Sequence, residues 1–119
     1  MFTAPRILVS SLSVFDASFA KAGEVTVPRR DFHALSFRLS GRITVETENE
    51  RLLSSAGELT FVPQGISYRT EILEDSRIYV VHFNTVDRYP KPSPFVVAPP
   101  YPVVLRNLFA GLFSRYRVG

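Results

Sequence analysis

The stretch His33-Ala34-Leu35-Ser36-Phe37-Arg38-Leu39-Ser40 alternates without a break. His33, Leu35, Phe37 and Leu39 share one side; Ala34, Ser36, Arg38 and Ser40 share the other. A period of two is that of a β-strand, whose successive side chains point to opposite faces. Taken alone, the alternation turns His33, Leu35, Phe37 and Leu39 towards a core. Gly41 ends the run, and Ile43 and Val45 then alternate with Thr44 and Glu46. The polar Glu48-Asn49-Glu50 reads as a hairpin turn, with Leu52 and Leu53 opening the return strand. Further β segments are predicted at 7–15, 24–27, 59–62, 68–73 and 78–83. The breaks between them are Gly23, Pro28, Ser54-Ser55-Ala56-Gly57, Pro63-Gln64-Gly65 and Glu74-Asp75-Ser76. Proline cannot donate to a ladder and glycine accepts turn geometry, so the corners fall there. Many short strands with such corners predict an antiparallel barrel or sandwich. The 10 Phe and 5 Tyr supply the large side chains that such a core needs.

After Thr85 the composition changes. Pro90, Pro92, Pro94, Pro99, Pro100 and Pro102 crowd one segment, which should be extended, with a single edge strand at 95–98. From Pro102 the period becomes helical. Val104, Leu108, Leu112 and Tyr116 fall on one face, with Leu105, Phe109 and Phe113 beside them. Arg115 and Arg117 sit in the last turn, where cations complement the helix dipole. The 119 residues suit one domain. Its expected parts are a barrel with an N-terminal arm (1–86), a proline-rich connector (87–101) and an amphipathic helix (102–119).

Several function classes are disfavoured. There is no Cys, hence no disulfide, thiol nucleophile or Cys-bound metal, which fits a cytoplasmic protein. Met1 to Val9 lacks the pattern of a signal peptide, and no apolar run approaches a membrane span. The net charge is +3, but the arginines are scattered from Arg6 to Arg117, so they read as solvated rather than as a nucleic-acid patch. No Ser/His/Asp spacing, phosphate-cradling loop or carboxylate pair emerges, and Glu46, Glu48 and Glu50 read as solvated hairpin charges. The chain is therefore expected to be no enzyme.

The phrase Gly57-Glu58-Leu59-Thr60-Phe61-Val62-Pro63-Gln64-Gly65-Ile66-Ser67-Tyr68 resembles the second cupin motif: Gly, five residues, Pro, one residue, Gly, two residues, His. Tyr68 stands in the His position. His33 to Gly41 resembles the end of the first motif, with Ala34 where that family carries Glu. The resemblance implies a mainly β fold, a cupin-like double-stranded β-helix (jelly-roll barrel) with a C-terminal helix. Metal-dependent cupins use three His and one Glu around an ion. This chain has only His33 and His82, neither on a ligand position, so no metal and no cofactor are expected.

The phrases His33 to Gly41, Ala56 to Gly65 and Ile78 to Phe83 are together similar to the sensor domains of AraC/XylS-type transcription regulators. The resemblance implies an effector-sensing and dimerising domain that binds a small molecule in its barrel. DNA would be read only by a helix-turn-helix region outside this chain. The alternatives are a metal-free cupin isomerase or lyase, and a ligand-free dimerisation module.

The same resemblance turns Ala34, Ser36 and Arg38 into the barrel, against the face chosen by the alternation. Arg38 would then be a buried cation in need of an anion, which a carboxylate ligand could supply bidentately. Sugar-binding members use an Arg shortly before the first motif, and Arg29 or Arg30 lies nearest, Arg30 being the candidate. Tyr68 fills the inward motif position and Thr70 shares its face. Ile78 and Val80 stand where sugar binders carry polar or aromatic contacts, so the effector, carboxylate or sugar, should be less polar. The ligand candidates are thus Arg30, Ser36, Arg38, Tyr68, Thr70, Ile78 and Val80. Leu105, Leu108, Phe109, Leu112, Phe113 and Tyr116 are the homodimer candidates, and His33 and His82 read as structural. Residues before Ile7 are candidates for an arm over the barrel mouth.

Overall fold

A computed structural model describes residues 9–85 and 93–116. The strands are β1 (Val9–Phe19), β2 (Ala22–Val27), β3 (His33–Ser40), β4 (Arg42–Glu46), β5 (Arg51–Ser55), β6 (Leu59–Val62), β7 (Tyr68–Ile72), β8 (Ser76–Thr85) and β9 (Phe95–Val97). One helix, α1 (Pro102–Tyr116), follows. They form a five-stranded sheet in the order β1-β8-β3-β6-β9 and a four-stranded sheet in the order β2-β7-β4-β5, with every pairing antiparallel. This is a double-sheet jelly roll with a C-terminal helix. The expected arm before Ile7 and most of the expected connector up to residue 92 lie outside the described residues.

Several strand boundaries differ from the sequence expectation: β1 runs on to Phe19, β2 starts at Ala22 and so includes Gly23, and two others have a clear physical reason. Ser54 and Ser55 were expected in a turn but extend β5, where they pair with Ile43 and Arg42. The Ser54 hydroxyl lies 2.7 Å from Thr60 Oγ1, so a polar residue inside the barrel is satisfied there. β8 runs on at both ends because β1 offers it a partner from Ser76 to Thr85.

The five-stranded sheet is the middle layer of three. Its outer face carries Val14, Phe37 and Val81, buried under Phe109 of α1, with Leu35, Leu39, Leu59, Tyr79, Phe83, Leu105 and Phe113 around them. The Phe37 and Phe109 rings stack at 5.9 Å, and Tyr79 meets Phe113 at 5.6 Å. The inner face looks across a cavity at the four-stranded sheet. Both readings of the β3 alternation therefore hold, because both faces are covered. A helix over one face and a sheet over the other remove the usual solvent side of an antiparallel strand. His33 belongs to the outer layer. It is buried between Phe61 and Phe83, and its Nδ1 accepts the Gln64 N–H at 3.1 Å.

Candidate functional site

A cavity of about 480 Å³ lies between the sheets. That is a usual size for a small-molecule site. Strand parity decides its lining: Ala34, Ser36 and Arg38 from β3, Tyr68, Thr70 and Ile72 from β7, and Ile78, Val80 and His82 from β8. Apolar side chains such as Phe15, Val27, Val45 and Val62 make most of the remaining wall, and no carboxylate among the described residues lines it. Arg30, Ser36, Arg38, Tyr68, Thr70, Ile78 and Val80, all chosen from sequence, stand on this one surface.

Arg38 is 2% exposed. Its Nε donates to Ser54 Oγ at 3.0 Å, and Nη1 has no hydrogen-bond partner among the described residues. The ion pairs formed among the described residues, Arg42 with Glu74 and Arg69 with Glu24 and Glu46, involve other arginines. Burial pulls the Arg38 pKa down to about 10, so the guanidinium stays charged at neutral pH. Thr70 Oγ1 is likewise buried without a partner. Ser36 is engaged, its hydroxyl donating to the Thr60 carbonyl at 3.5 Å.

The other end of the cavity is aromatic. His82 stacks on Phe32 at 4.1 Å and meets the Phe15 ring edge-on at 4.7 Å. The Arg30 guanidinium lies 5.6 Å from the Phe32 centroid. Burial, and then the Arg30 charge, push the His82 pKa down to about 4, so its imidazole is neutral at physiological pH. Burial pushes the Tyr68 hydroxyl up, opposed by the same Arg30 charge. Sequence reasoning set His82 aside as structural, yet it lines the cavity. The signal was present, since His82 continues the parity of Ile78 and Val80.

The expected dimer face needs correction. Leu105, Phe109 and Phe113 are spent on the barrel core. Val104, Leu108 and Leu112 remain on the outer side, at 56%, 58% and 37% exposure. The helix is apolar on two faces, so hydrophobicity alone could not tell which one docks. The side-chain environment of Tyr116 lies outside what the structure describes. Among the described residues, no three His, Cys, Asp or Glu side chains gather where they could hold a metal ion. No described helix is long and apolar enough to cross a membrane.

The profile of the AraC-binding-like domain matches residues 4–113. The chain belongs to the AraC-binding-like domain family. Solved structures carry the same fold. ToxT from Vibrio cholerae superposes with a TM-score of 0.64 at 11% identity, covering 89% of this chain and 49% of that one. The ethanolamine utilization protein EutQ from Salmonella typhimurium gives 0.55 at 22% identity, covering 62% and 58%. A cupin-2 domain protein from Shewanella frigidimarina gives 0.52 at 17% identity, covering 68% and 80%. This AraC-binding-like domain thus spans about half the length of ToxT. No curated protein matches the sequence. The AraC-binding-like domain here is a cupin-type jelly roll.

Proposed function

We propose that this domain senses a small acidic molecule inside its barrel and couples the bound state to dimerisation of a transcription regulator. The carrying observation is Arg38: a buried guanidinium on the wall of a largely apolar cavity, with Nη1 unpartnered and no carboxylate on that wall among the described residues. A buried cation is costly unless paired, and a carboxylate supplies both the charge and bidentate acceptors. Thr70 Oγ1 offers a second unmet polar contact. Ile78 and Val80 provide apolar wall, which suits a carboxylate with a hydrocarbon body better than a sugar.

The reading is regulatory rather than enzymatic, in a cytoplasmic protein whose DNA contacts would come from a helix-turn-helix region outside these residues. The effector would act by population shift, favouring one arrangement of barrel and helix. Thermal-shift measurements with small carboxylates, their isosteric amides and sugars test it. Acids should raise the melting temperature and their amides should not. Equal shifts from acids and amides would remove Arg38 from the argument.

Two copies would meet along the outer stripe of α1, where Val104, Leu108 and Leu112 recur at helical spacing. Leu108→Lys should shift the sedimentation-velocity profile towards monomer while leaving the melting temperature of the monomer within about 1–2 °C of the parent. An unchanged dimer would exclude the stripe.

A further inference from the structure

We infer that the cavity takes an elongated dicarboxylate, one acid on Arg38 and the other on a second polar pole formed by Arg30, Tyr68 and His82. This rests on the proposed reading of Arg38 as the acid-binding group. The register of the five-stranded sheet sets the two poles apart. Arg38 pairs with Ile78, and Ala34, four residues earlier on β3, pairs with His82. At about 3.3 Å per residue, the backbone positions of the poles are ~13 Å apart along the strands. Between them Val80 pairs with Ser36, whose hydroxyl is engaged by the Thr60 carbonyl, and Val45 lines the same cavity, while Val62 pairs with Ala34 at the second pole. A hydrocarbon chain fits that middle, and a charged or hydroxylated one would lose solvation without compensation.

The second pole is a set of donors. Arg30, Tyr68 and His82 all line the cavity, and the Arg30 charge acts on both of the others. The imidazole stays neutral and keeps one N–H to give. Its ring is held between Phe15 and Phe32, and Phe32 in turn lies beneath the Arg30 guanidinium. The aromatic column thus orients two of the three donors. A monocarboxylate would satisfy Arg38 alone; a dicarboxylate long enough to span the cavity would engage both ends.

Calorimetric titration with two matched series tests this: succinate, adipate, sebacate and dodecanedioate against butyrate, hexanoate, decanoate and dodecanoate. Sebacate should bind about tenfold or more tightly than decanoate, since a charge-assisted contact at the second pole is worth on the order of 1.5 kcal/mol. Succinate, too short to span, should show no gain over butyrate. Arg30→Gln should weaken sebacate about tenfold, to near the affinity of decanoate, and weaken decanoate by much less. Equal affinities of sebacate and decanoate in the parent would overturn the second pole while leaving Arg38 as the acid site. An Arg30→Gln variant that weakens both series alike would overturn it too. Binding of neither series would overturn the Arg38 reading and this inference together.

Discussion

Arg38→Met is expected to abolish carboxylate binding and to raise the stability of the unliganded domain by about 1–3 kcal/mol. The two effects have one cause. Burial lowers the guanidinium pKa from its ordinary value to about 10, a cost of about 3 kcal/mol for holding the charge inside. A folded pKa below the unfolded one means that the charged form is disfavoured by folding. That penalty is constant across the neutral range and fades only as pH climbs past about 10 towards the ordinary arginine value. Met occupies much of the same space with no charge to desolvate. Ser54 loses its Arg38 partner but keeps its 2.7 Å contact with Thr60, so no buried hydroxyl is orphaned. Urea unfolding measures the stability and calorimetry the binding. A variant less stable than the parent, or one that binds carboxylates as the parent does, would sink the assignment. On the proposed reading, the empty domain is destabilised by its buried charge and an acidic ligand would relieve that cost.

Gly41→Ala should cost about 3 kcal/mol or more, enough to remove much of the stability of a small domain. Gly41 joins β3 to β4 with φ at +83°, a region that side chains rarely adopt. A Cβ there would also run into the Ser76 hydroxyl and the Asp75 carbonyl oxygen, and would lie 2.8 Å from Ser76 Cα. The hydroxyl can turn, but the backbone of the loop before β8 cannot give way cheaply. Gly65→Ala is the control. Its φ is +84°, yet nothing lies within 4 Å of the added carbon, so only the conformational cost of about 1 kcal/mol should appear. Equilibrium denaturation of the two variants side by side separates strain from collision. Equal losses would show that the Gly41 corner is not packed against 75–76.

The amino-acid sequence alone determined most of the corners and which side chains share a face, although Gly23, Ser54 and Ser55 lie inside strands. Period-two alternation marks β3 from His33 to Ser40, and the glycine at position 41 stops it. The same parity turns Tyr68 and Thr70 of β7, and Ile78 and Val80 of β8, into the cavity from its two facing sheets. These properties are legible because they depend only on neighbours along the chain. What lies opposite a face is a different matter. Alternation could not reveal that Phe37 and Arg38 would both be buried, one under α1 and one in the cavity, because the covering elements come from distant parts of the chain. The helix posed the same problem: Leu105 and Leu108 are equally apolar, and only docking on the sheet consigned the first to the core and left the second exposed. His82 carried the right parity, but its place between Phe15 and Phe32 arises from strands and a loop brought together only in the fold. Local pattern thus chose the faces, and tertiary packing decided which of them became core, cavity or open surface.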